Sequence, residues 1–143
     1  MAIKKILLAG IAGAVVYFLL GWLFYGILLM NFMTENAGSA TGVAKEPMLM
    51  WALALGDLFW GFLLAVIFGC WTNIRTWLAG AKAGAIIGLL MGAGIDLMMY
   101  GTSNLYNCTA LVVDVIVVII MTAIVGAVVA AILGSGGKNE TEE

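Results

Sequence analysis

Three aspartates, Asp57, Asp96 and Asp114, are the side chains best placed to do chemistry, because each interrupts a long apolar run. A carboxyl group in such a run is costly unless it faces protein or water, so acids of this kind mark sites for ions, protons or solutes. No Lys, Arg or His lies near them to neutralise them. They must then be protonated, accept hydrogen bonds from Tyr, Thr, Asn or backbone groups, or share a bound cation. Tyr25 and Tyr100, near the ends of the first and third apolar runs, complete the candidate ion or substrate site. Two carboxyl groups brought together would titrate as one coupled unit. Each aspartate also has a structural alternative as a hydrogen-bond anchor, as Asp96 has with Thr102, Ser103 and Asn104.

Those acids have to be held by something other than a water-soluble core. Of 143 residues, 64% are hydrophobic, 10% are charged and 19 are glycine, whereas an ordinary soluble domain is roughly 25% charged. Four stretches, 6–30, 47–70, 77–100 and 107–134, meet the requirement of about 20 apolar residues for a membrane span. The sequence therefore predicts an all-α, integral-membrane four-helix bundle in a single domain, 1–134, followed by a disordered cytoplasmic tail, 135–143. Lys4 and Lys5 precede the first stretch as they would in a signal peptide. That stretch, however, is longer than the roughly 7–15 residues of a signal h-region and lacks a cleavage site, so it is read as a helix. Pro47 fits the first turn of the second helix, where its missing N–H is no loss.

Spacing within the helices positions the acids. Every fourth residue of the third stretch gives Gly80, Gly84, Gly88, Gly92 and Asp96. The second gives Asp57, Gly61, Ala65 and Gly69, and the fourth gives Asp114, Val118, Thr122, Gly126, Ala130 and Gly134. Residues four apart share a face, and small residues on that face let helices approach closely in lipid. The glycines are read as packing positions, with oligomerisation as their alternative use. The first helix instead carries Tyr17, Phe18, Trp22, Phe24 and Tyr25 in its second half. The pattern predicts a bundle tight at one end and splayed at the other, where the acids lie. Asp57 precedes Gly69, and Asp114 precedes Gly126, by the same interval. This hints at a pseudo-twofold repeat of two helical hairpins that would set Asp57 opposite Asp114.

Lys4, Lys5, Arg75, Lys82 and Lys138 fall on one side of such a topology and only Lys45 on the other. The positive-inside rule then puts both termini in the cytoplasm and the loops 31–46 and 101–106 outside. The longer loop is either a lid or a mobile connection. Cys70 and Cys108 sit at opposite ends of their helices, too far apart for a disulfide. Without His or a Cys-x-x-Cys motif, the familiar zinc, haem and triad chemistries have no ligands or bases. The Gly134-Ser-Gly-Gly-Lys138 stretch misses the spacing and final hydroxyl of a phosphate loop. No enzymatic activity, no cofactor and no nucleic-acid partner is expected.

Tyr100-Gly-Thr-Ser-Asn104 with Asp114 in the next helix, and Gly21-Trp22-Leu-Phe-Tyr25-Gly26 in the first, resemble small four-helix bacterial inner-membrane proteins of unknown function. The resemblance implies a multipass protein of a bacterial cytoplasmic membrane and no activity to carry over. Small multidrug transporters have a similar length and helix number. Their essential glutamate lies in the first helix, where this chain has no acid, so their function is not transferred. Two readings follow. One is a transporter or transporter subunit, as a homo-oligomer or within a larger complex, moving a proton, metal ion or small cationic solute through an outward acidic site. The other is a non-enzymatic accessory subunit that binds a larger membrane complex or lipid through residues such as Met48, Met50, Trp51, Met98 and Met99.

Overall fold

The computed structural model describes residues 3–136. Lys138 and the rest of the expected tail from residue 137 onward lie outside them. Helix α1 (Ile3–Gly21) continues as a π-helix over Trp22–Leu28, and a short α2 (Met30–Glu35) follows. Helix α3 (Met50–Val66) ends in a second π-helical turn, Ile67–Trp71, and α4 (Trp77–Thr102) and α5 (Cys108–Gly134) complete the fold. Among the described residues there are no strands, only a single antiparallel bridge between Ala37 and Tyr106. The four long helical stretches run 26, 22, 26 and 27 residues. Each is long and apolar enough to cross a membrane.

Local signals set the ends of the last two helices. Thr76 Oγ1 accepts from the Ala79 N–H at 3.3 Å, and Asn107 Oδ1 accepts from the Ala110 N–H at 2.9 Å. Both are N-caps that satisfy donors left over in a first helical turn. Pro47 departs from expectation. It precedes α3 rather than opening it, because the chain enters that helix from Leu49 (φ −82°, ψ 84°) after turning Met48 onto a cavity described below.

Helix α4 packs along α5, α5 along α1, and α1 along α3, while α3 and α4 make little contact. This order corrects the expected pseudo-twofold repeat. Two equivalent hairpins would make the α1·α5 and α3·α4 interfaces alike, and only the first is formed. The glycine columns explain the choice of partners. The buried residues of α4 are Gly80, Gly84, Gly88, Gly92 and Asp96, all on one face. A Cβ on Gly80 would run into the Gly126 carbonyl, and one on Gly84 into the Thr122 carbonyl. With its one small face spent on α5, α4 has none left for α3. Gly61 of α3 meets α1 instead, against the Gly10 carbonyl and the Ala14 N–H. Gly69 lies half-buried in the π-helical turn after α3.

The bundle is tight at the end carrying Ile3 and Gly134. Phe68, Leu64, Leu133, Val125 and Val129 are fully buried there, whereas no residue of Trp22–Leu28 is buried at the far end. The two far-end loops hold one another. Gly38 N donates to Leu105 O at 2.9 Å, Ala40 N to Asn104 O at 3.0 Å, and Asn107 Nδ2 to Asn36 Oδ1 at 3.0 Å. The first part of the long loop is thus a backbone-paired connection, not a free lid.

Candidate functional site

The site begins where the α4 column ends. Asp96 is 9% exposed, and its Oδ2 is buried without a hydrogen-bond partner. The pairing of α4 with α5 sets the Asp114 carboxyl beside it. Ionised carboxylates accept but do not donate, so proximity alone leaves Oδ2 unsatisfied. Tyr25 reaches the pair from the π-helical part of α1 and donates its hydroxyl to Asp114 Oδ1 at 2.5 Å. Tyr106, from the loop after α4, donates to the Asp96 backbone carbonyl at 3.0 Å. The pair therefore has two phenols around it and one buried carboxyl oxygen without a hydrogen-bond partner. Such an arrangement can take up one proton or one small cation.

Asp57 does not join the pair. It stands half-buried on α3 and borders a cavity of about 420 Å³ between α1, α3 and α5. The expected convergence of three carboxyl groups fails because α3 and α4 do not pack together. Among the described residues no group of three acids, cysteines or histidines could hold a metal ion. Tyr25 belongs to both places, since it lines this cavity while bonding Asp114. Tyr100 is 45% exposed and takes no part. The phenol expected there is supplied by Tyr106 instead.

Outside the spans, the Tyr106 hydroxyl is held above the ordinary phenol range by burial first, then by the negative charge of the Asp96 and Asp114 pair. Below the pair, Tyr17 and the fully buried Thr122 share a hydrogen bond of 2.5 Å. Tyr17 also stacks on Trp60 with ring centroids 5.9 Å apart. The place of Tyr17 follows from residue spacing. Every fourth residue of the first helix gives Gly13, Tyr17, Gly21 and Tyr25, the same spacing that marks the other columns. Nothing local pointed to Tyr106.

Fold and site together define, over the described residues, an all-helical protein whose four long helices are apolar enough to cross a membrane and hold two acids, Asp96 buried and Asp114 half-buried, between two of them. Family models, curated proteins and solved structures give no match to the chain.

Proposed function

We propose that this chain is a multipass protein of the bacterial cytoplasmic membrane, with both termini cytoplasmic, that carries a proton on Asp96 and Asp114 and couples it to movement of a cation. One observation carries the reading: the buried, partnerless Asp96 Oδ2 beside a second carboxyl group. Two ionised carboxylates brought this close repel strongly in a low-dielectric setting. A proton on the pair turns one carboxyl group into a hydrogen-bond donor and removes the repulsion. Intramembrane acids so placed are the usual elements of proton relays. The orientation draws support from the cations at the end with Ile3 and Gly134. Lys5 Nζ donates to Ser135 O at 2.7 Å and Arg75 Nη1 to Leu133 O at 3.3 Å, where positive charge also suits a helix C-terminus.

The test is proton movement in sealed vesicles containing the purified chain, driven by an imposed pH gradient. Movement in wild type that is lost in Asp96→Asn and in Asp114→Asn supports the reading. Vesicles that are silent for wild type across a cation panel sink an autonomous carrier.

A second reading, as an accessory subunit, draws on the far end. Met48, Trp51 and Met98 stand 67%, 68% and 73% exposed there, an adaptable apolar surface of the kind partners use. Silent vesicles together with a stoichiometric partner co-purified from native membrane would favour it.

A further inference from the structure

The cavity beside Asp57 has a composition that selects its occupant. Four aromatic residues of one helical stretch, Tyr17, Phe18, Trp22 and Tyr25, form one wall, and Asp57 is the only charged residue lining it. Without a lysine or arginine, the cavity has nothing to hold an anion. It also has few donors to offer a polar neutral solute. The Tyr17 hydroxyl is shared with Thr122 and the Tyr25 hydroxyl is given to Asp114, leaving the Trp22 indole as the one unengaged donor among these aromatic groups. What remains is one carboxylate and several π faces, which together attract a cation that needs no directed hydrogen bonds. The volume, about 420 Å³, lies in the range of small-molecule sites.

Access is also marked. A second, purely apolar groove of about 250 Å³ runs between α1 and α3, past Ile11, Val15 and Leu58, and shares Phe18 with the cavity. Ile11 and Val15 are exposed on the outer face of the bundle, the face that meets hydrocarbon in a bilayer. The groove thus lies on the lipid-facing side of Phe18 and the cavity on its other side.

We propose that the Asp57 cavity binds a bulky organic monocation of the quaternary-ammonium type, entering laterally from the bilayer. This names the cargo of the carrier proposed above and rests on that reading. Tyr25 is the link between cargo and proton, because its ring touches the first site and its hydroxyl the second.

The experiment measures binding of tritiated benzyltrimethylammonium to the full chain in lipid nanodiscs. Competition by the unlabelled cation is compared with competition by neopentylbenzene, its neutral carbon isostere. The isostere should compete at least about tenfold less well, Asp57→Asn should weaken binding at least about tenfold, and Asp57→Glu should retain it. Equal competition by the isostere, unchanged binding in Asp57→Asn, or no saturable binding to wild type would overturn the proposal and leave an apolar cavity for lipid. The isostere comparison uses wild type alone, so it stands even where a variant fails to fold. Charge-selective binding in a protein whose vesicles move no proton would keep this site and remove the carrier. Proton movement by a protein blind to the isostere's missing charge would remove this site alone.

Discussion

Tyr25 donates its hydroxyl to Asp114 Oδ1 across 2.5 Å, tying the π-helical end of α1 to α5, while its ring forms part of the wall of the Asp57 cavity. A π-helical turn is uncommon and recurs at functional sites. Here it holds one side chain against both an acidic pair and a cavity. Tyr25→Phe keeps the ring and removes the donor. A hydrogen bond to a charged group contributes roughly 1.5–3 kcal/mol, so unfolding of the variant in detergent should show a loss of that order. Proton movement in vesicles should slow in parallel. Unchanged stability and unchanged movement would show the bond to be idle.

The α4 glycines divide into two groups with opposite expectations. Gly84 lies where a Cβ would meet the Thr122 carbonyl, whereas nothing lies within 4 Å of a Cβ on Gly94. Gly84→Val should destabilise by about 1–3 kcal/mol or more as α4 is pushed off α5. Gly94→Ala should be neutral or stabilising by up to about 1 kcal/mol, since it only raises helix propensity. Thermal unfolding of the two variants side by side checks the assignment of the packing face.

Thr122 and Tyr17 form a buried pair whose loss should be asymmetric. Thr122→Val strands the Tyr17 hydroxyl at a site where both residues are buried, at a cost of about 1–3 kcal/mol. Tyr17→Phe together with Thr122→Val removes both polar groups and should recover part of that loss. A double-mutant cycle on unfolding free energies measures the coupling.

The phenol of Tyr106 gives a pH dependence with a definite sign. Burial, then Asp96 and Asp114, hold its folded-state value above the unfolded one. A group shifted in this direction adds stability that is present in full below the unfolded tyrosine value, about pH 10, and is lost as pH rises through the folded value. Stability should therefore fall on the alkaline side of the tyrosine range, and Tyr106→Phe should flatten that fall. Tyrosinate absorbance and thermal unfolding, followed together across the alkaline range, test it.

Much of this architecture was legible in residue spacing. The helical period puts Gly80, Gly84, Gly88, Gly92 and Asp96 on one face, and they are the buried residues of α4. The tight end and the open end followed from where small and aromatic residues sit. Which acids meet was less legible, because helical period fixes a face but not a neighbour. The choice of Asp96 over Asp57 as the partner of Asp114 depends on α4 lying along α5 and leaving α3 apart. Tyr106 was out of reach for a similar reason. Its position depends on the loop pairing of Ala37 with Tyr106 and of Asn36 with Asn107, contacts across about 70 residues that no local pattern encodes.

The central claim is that Asp96 and Asp114 share a proton, and infrared spectroscopy of the chain in lipid at neutral pH tests it most directly. A protonated carboxyl group absorbs apart from a carboxylate. The account predicts a protonated-carboxyl band in wild type that is lost in Asp96→Asn and in Asp114→Asn and kept in Asp57→Asn. A wild-type spectrum without that band, or a band that survives both substitutions, would contradict it.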